Sequence, residues 1–183
     1  MSSSELQVTA ADQNELDYKL ASAVAPHVTL RNIYLRAVSA ELKESRADTI
    51  TAIAAKELPA SVSWRSAHDF IEEGLSLNVK LDFNVTIGQK PHILMACSYV
   101  LEYGLDSMPP SEGRDALLSA FAKVNGVYNA WPYLRENLHT TCARMSVPPP
   151  LLPIYRVVPP SGKGPKSGVP ETDYGLRPVG SDT

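Results

Sequence analysis

The sequence has little of what usually marks an enzyme, a metal site or a stapled fold. Only two cysteines occur, Cys97 and Cys142, and they lie far apart. A disulfide framework or a four-thiolate zinc site needs more, so both read as reduced core thiols. The four histidines, His27, His68, His92 and His139, are scattered. His139 and Cys142 are three apart and fit one helix face, but a structural zinc needs four ligands, so no metal is expected. There is no P-loop, no dinucleotide-binding glycine pattern and no G-x-S-x-G elbow. That argues against a nucleotide-driven machine, against a serine hydrolase and for no cofactor. No apolar run approaches the roughly eighteen residues that span a bilayer. Residues 1–8 carry neither a basic region nor an apolar core, so no signal peptide is read there and the expected location is cytoplasmic. The net charge of −3 comes without a basic stripe, which speaks against a nucleic-acid partner. His68-Asp69 with Glu72-Glu73 reads as a solvated acidic loop, and Arg135-Glu136 as a solvated helix face.

What the chain does contain is pattern. With 44 % apolar and 20 % charged residues, its 183 residues suit one globular domain with its own core. Residues 12–24 space Leu16, Leu20 and Val24 four apart and stop before Pro26, the mark of a short amphipathic helix. Residues 27–42 read as a strand. Val28, Leu30, Tyr34 and Val38 fall on one face by parity, with Ile33 and Leu35 on the other, so two packing sides are expected: a core and a subunit partner. Residues 44–58 place Ile50, Ile53, Ala54 and Leu58 at helical spacing ahead of Pro59. Residues 61–74 read as a connection or a short strand.

The clearest signal follows. Leu75, Leu77, Val79, Leu81, Phe83, Val85 and Ile87 alternate with polar residues, which predicts a strand with one dry face. Gly88-Gln89-Lys90-Pro91 supplies a turn. Ile93, Met95, Cys97, Tyr99, Leu101, Tyr103 and Leu105 repeat the alternation, so the two segments form an antiparallel hairpin. Ser111 then reads as the N-cap of a helix with Ala116, Leu117, Ala120, Phe121 and Val124 on one stripe. Asn125-Gly126 interrupts it. Val127, Trp131, Leu134, Leu138, Cys142 and Met145 mark a second helix, with Pro132 implying a kink or a fresh start near Trp131. Pro148-Pro149-Pro150 stops it. The expected class is α+β, an antiparallel sheet packed with C-terminal helices. Residues 1–157 form the domain, with 1–25 as an N-terminal helical extension, and residues 158–183 a flexible Pro/Gly-rich tail.

The segment Tyr128-Asn129-Ala130-Trp131-Pro132-Tyr133-Leu134-Arg135-Glu136 resembles the SecB family signature, an aromatic-Pro-Tyr-x-Arg-Glu motif at the start of a long helix. Residues 145–152 resemble its continuation, residues 28–41 its first strand, and Val79-Lys80-Leu81-Asp82 with the hairpin to Leu105 its middle strands. The resemblance spans about residues 28–157. It implies a SecB-like fold, assembly as a dimer or a dimer of dimers, and an ATP-independent chaperone (a holdase) that binds unfolded or precursor polypeptides. Classical members also carry acidic sheet residues that dock the motor SecA. Glu41 matches one such position, but Ala37 stands at another and Ala96 to Ser98 lacks a carboxylate. The further C-terminal helix of the family is replaced by residues 158–183. These departures are more similar to the solitary SecB-like chaperones that protect an antitoxin. The candidate client-binding residues are Phe83, Tyr99, Leu101, Tyr103, Trp131 and Met145, each of which a core position explains equally well. An adaptor that keeps the fold without holding activity is the alternative class.

Overall fold

The computed structural model describes residues 10–54, 60–72, 74–87, 90–150, 152 and 155. Along the chain run α1 (Ala10–Val24), β1 (Val28–Leu42), α2 (Arg46–Ala54), β2 (Ala60–Ile71), β3 (Gly74–Ile87), β4 (Lys90–Leu105), α3 (Arg114–Phe121) and α4 (Val127–Arg144). The four strands form one sheet in the order β1-β4-β3-β2, every neighbouring pair antiparallel. The α+β expectation holds.

Alternation sets the centre of the molecule. Leu75, Leu77, Val79, Leu81, Phe83 and Val85 of β3 are fully buried, as are Ile93, Met95, Cys97, Tyr99, Leu101 and Tyr103 of β4. Paired register puts these two rows on the same face. Against them lie Leu117, Leu118 and Phe121 of α3 and Val127, Trp131, Leu134, Leu138 and Cys142 of α4, all buried. Burying each large side chain contributes roughly 1.5–3 kcal/mol, so this one face drives folding. Val24 and Ala21 bring α1 onto the same core, and Lys123 Nζ holds it from the other side, 2.6 Å from the buried Asp17 carboxylate. The α2 helix is capped by Ser45, whose Oγ accepts from the Asp48 amide (3.2 Å) and donates to the Asp48 carboxylate (2.6 Å). Its Thr49 hydroxyl meets His92 Nδ1 at 3.3 Å, tying α2 to β4.

Several expectations change. Of the two readings of residues 61–74, a connection or a short strand, the strand holds, and it is longer than expected: Ala60–Ile71, twelve residues. Its core-facing positions, opposite Phe83, Leu81, Val79, Leu77 and Leu75, are Val62, Trp64, Ser66, His68 and Phe70. The two polar residues in that row hide the apolar period. His68 is therefore not loop but strand, with Nε2 3.2 Å from the Asp115 carboxylate of α3; Asp69 and Glu72 are exposed. Lys90 and Pro91 already belong to β4. Ser111 is not a cap: α3 begins after Gly113, whose φ of 63° turns the chain into the helix. Asn125-Gly126 does not interrupt the helices either. Ala122–Gly126 is a wide π-helical turn joining α3 to α4. Gly126 is there for contact: a Cβ on it would lie 3.1 Å from Val79 Cγ2 and 3.4 Å from Leu77 Cδ1, so its bareness lets the helix press on β3. The helix also runs through Pro132 without restarting at Trp131. It closes after Arg144 with Ser146 left-handed (φ 56°), and the Ser146 and Val147 amides donate hydrogen bonds to the Ala143 and Cys142 carbonyls, both 3.0 Å. Leu58, Pro59 and the tail at 158–183 lie outside the described residues.

Candidate functional site

Strand β1 is where the sheet stops being covered. Its apolar residues are spaced two, three, two and three apart at Val28, Leu30, Ile33, Leu35 and Val38. A flat strand would throw them onto alternate faces. Two register shifts prevent this: Arg31 is the extra residue between Leu30 and Asn32, and Arg36 the extra residue between Leu35 and Ala37. Each bulge moves the parity by one. Leu30, Ile33, Leu35 and Val38 then stand opposite Tyr103, Leu101, Tyr99 and Cys97, all on the helix-bearing face. The faces of β1 therefore differ from those that an unbroken two-residue period predicts. Tyr34 alone of that apolar set lies on the helix-free face, opposite Val100.

The α3–α4 unit packs over β2, β3 and β4. Leu30, Leu35 and Val38 remain 39 %, 40 % and 47 % exposed, although their facing partners on β4 are buried. β1 is also a sheet edge, so one side of its backbone offers donors and acceptors that no strand in the sheet takes. An apolar row beside an open edge suits an extended polypeptide, whose side chains meet the row while its backbone stays solvated or pairs.

Of the six candidate residues, Tyr103, Leu101 and Tyr99 stand directly opposite this row on β4. Phe83 and Leu101 are fully buried. Tyr99 and Tyr103 are buried with their hydroxyls held from α4, by Asn137 Nδ2 and by Asn129 Nδ2 (2.8 Å) respectively. Desolvation raises both phenols above the ordinary value of 10, Asn137 and Asn129 partly opposing it. Such a tyrosine is a clamp, apolar in body and satisfied at its tip. Tyr103 also stacks edge-on against Phe121, centroids 5.3 Å apart. Trp131 is buried, and Met145 is half-buried against the core. The structure brings five of the six together in the interior. It leaves Leu30, Leu35 and Val38, which the sequence reading had not selected, at the surface. Their signal was the 2-3-2-3 spacing, which only a doubly bulged strand resolves onto one face.

Described residues beyond α4 pack on the core. Leu152 is buried, and the Tyr155 ring sits edge-on to Trp64 (5.9 Å) and tilted on Trp131 (5.1 Å). This joins β2 to α4 through an aromatic cluster.

Cys97 and Cys142 are buried and unbonded. Burial raises both thiols from 9.0 to about 11, with a Tyr99 hydrogen bond partly opposing it at Cys97. An unfolded thiol loses its proton near 9 and a folded one near 11. Their contribution to stability is therefore whole below pH 9 and declines as pH rises through about 11. In the folded protein at pH 8 neither thiol is expected to react rapidly with Ellman's reagent, and two are expected to react in denaturant. Rapid reaction in the native state would contradict the burial of that thiol.

Among the described residues no cluster of three or more metal-ligating side chains occurs, and no helix is long and apolar enough to cross a membrane. No family model matches the chain. No curated protein matches it. Among solved structures, the Mycobacterium tuberculosis SecB-like chaperone Rv1957, in complex with a ChAD peptide from the Rv1956 HigA1 antitoxin, aligns with a TM-score of 0.62 and 17 % identity, over 76 % of this chain and 98 % of that one. The fold is SecB-like. The two positions compared with the family's partner-docking carboxylates lie on the helix-free face of this SecB-like sheet. Ala37 stands opposite Ser98 and Glu41 opposite Leu94. Glu41 Oε2 is 2.6 Å from Lys43 Nζ.

Proposed function

We propose that this chain is an ATP-independent holdase of the SecB type, a binder of unfolded polypeptides and not an enzyme. The observation that carries the reading is the row Leu30, Leu35 and Val38, apolar and left uncovered beside a sheet edge. A holdase needs accessible apolar surface and little specificity. Several part-exposed side chains, each covered by a client, sum to useful affinity without a shaped pocket. Tyr99, Leu101 and Tyr103 back this row from β4, Phe83 and Trp131 lie in the core beyond it, and half-buried Met145 completes the set of candidate client residues. The open β1 edge supports assembly as a dimer, and from there a dimer of dimers, since pairing two β1 strands covers an edge otherwise prone to aggregation. The net charge of −3 helps such a particle stay soluble in the cytoplasm.

Two client classes fit. One is the precursor polypeptide destined for export and handed to SecA. The other is a single dedicated partner, an antitoxin. The second is favoured by Ala37 and by the absence of a carboxylate at Ala96 to Ser98, and by the antitoxin peptide bound to the SecB-like neighbour.

The test is aggregation of a chemically denatured model protein diluted into buffer without nucleotide. Suppression at near-stoichiometric amounts of this chain is the expected result. No suppression across several clients rules out the general holdase and leaves the dedicated chaperone or an adaptor, which an antitoxin-derived peptide then separates by binding or failing to bind.

A further inference from the structure

The helix-free face of the sheet carries a feature that the holdase reading does not use. One cross-strand row runs Ala37, Ser98, Lys80, Arg65 over all four strands. Arg65 and Lys80 are directly opposed, an arrangement that costs stability because like charges repel. The β1 bulge adds a third cation. Arg36 leans across β4 and its Nη1 donates to Asn78 Oδ1 of β3 (3.3 Å), a reach the small Ala37 and Ser98 leave open. The three basic side chains, from three different strands, surround a depression of about 380 Å³ also lined by Asn78 and Ser98. Among the described residues one carboxylate answers them: Asp82, 3.5 Å from Lys80 Nζ. Among the described residues neither Arg36 nor Arg65 forms an ion pair. A chain with net charge −3 has gathered an excess of positive charge at the middle of one face.

We propose that this depression docks an acidic segment of a partner polypeptide, one presenting two or more closely spaced carboxylates. Arginine's planar fork matches a carboxylate bidentately. A carboxylate placed between Arg65 and Lys80 relieves their mutual repulsion, and a second reaches Arg36, while Asn78 and Ser98 satisfy remaining oxygens. A nucleic acid fits less well. Its phosphates need a long basic track, and three cations on an otherwise acidic chain do not provide one. The site faces away from the row Leu30, Leu35 and Val38, so an acidic partner and an unfolded client can be held together.

The test uses the full chain and a fluorescein-labelled deca-glutamate peptide, followed by anisotropy at low salt. Saturable binding is expected, weakening as salt rises. The double variant R36Q/R65Q is expected to bind at least tenfold more weakly, with a melting temperature no lower than the wild type's, because Arg65 no longer repels Lys80, and with unchanged suppression of client aggregation. A deca-lysine peptide is expected not to bind. Absence of saturable deca-glutamate binding, or equal binding by R36Q/R65Q, overturns the proposal. So does a single-stranded oligonucleotide of equal charge that binds more tightly through the same arginines. None of these outcomes bears on holding activity, which is read separately.

Discussion

Replacing Leu35 and Val38 together by serine is expected to abolish most client holding and leave the fold intact. The two side chains are 40 % and 47 % exposed, so a client can cover only part of each. That part is worth about 1 kcal/mol per residue, half the usual contribution of a fully buried aliphatic. Losing both weakens a client complex roughly thirty-fold. The chaperone-to-client ratio needed for half-suppression of aggregation should rise accordingly. Stability should fall by about 1 kcal/mol per residue, the part of each side chain already buried on the sheet, which is too little to unfold the chain. Serine also keeps the backbone donors and acceptors of the β1 edge, so the oligomer mass measured by light scattering should not change. If suppression survives in the double variant with the mass unchanged, the client binds elsewhere and the β1 row serves another purpose. If the mass falls, the row belongs to a contact between copies.

The difference between the β1 row and the rest of the sheet explains what could be read from the sequence. β3 and β4 were legible because their two-residue period is unbroken and one whole face is dry, as Leu75 to Val85 and Ile93 to Tyr103 show. The helical stripe from Leu117 to Cys142 was legible for the same reason at its own period. β2 was obscured because Ser66 and His68 occupy core-facing positions, where an edge strand tolerates polar groups and His68 finds Asp115. β1 was misassigned because an inserted residue reverses parity, and two insertions, at Arg31 and Arg36, reverse it twice. The candidate site was lost with it. Large apolar and aromatic residues were chosen for a client surface on chemistry, but a core selects those residue types too. Tyr99 and Tyr103 illustrate this: their hydroxyls are held by Asn137 and Asn129, eight residues apart on α4, a pairing visible only once strand and helix are packed. The same bulge that turns Leu35 and Val38 toward the helix side swings Arg36 to the opposite face. One backbone irregularity thus serves both surfaces.

Trp131 separates a core role from a client role most sharply. At 3 % exposure it presents almost nothing to a client, and its ring packs on Tyr155 at 5.1 Å. Trp131→Ala should therefore act through stability, costing about 3–5 kcal/mol by lost burial and the cavity left behind. For a chain of this size that lowers the melting temperature by roughly 6–20 °C. Well below the new midpoint, the folded variant should still suppress aggregation as the wild type does, because Leu30, Leu35 and Val38 are untouched. Tyr155→Ala provides the internal check. It removes the partner that covers Trp131 and reaches Trp64. The two substitutions share one cluster, so their effects on stability should be non-additive by about 0.5–3 kcal/mol. A Trp131→Ala protein that melts with the wild type but loses client binding would give the opposite answer. It would mean that the segment bearing Tyr155 moves aside, that Trp131 belongs to the client surface, and that the sequence motif around it is there for binding and not for packing.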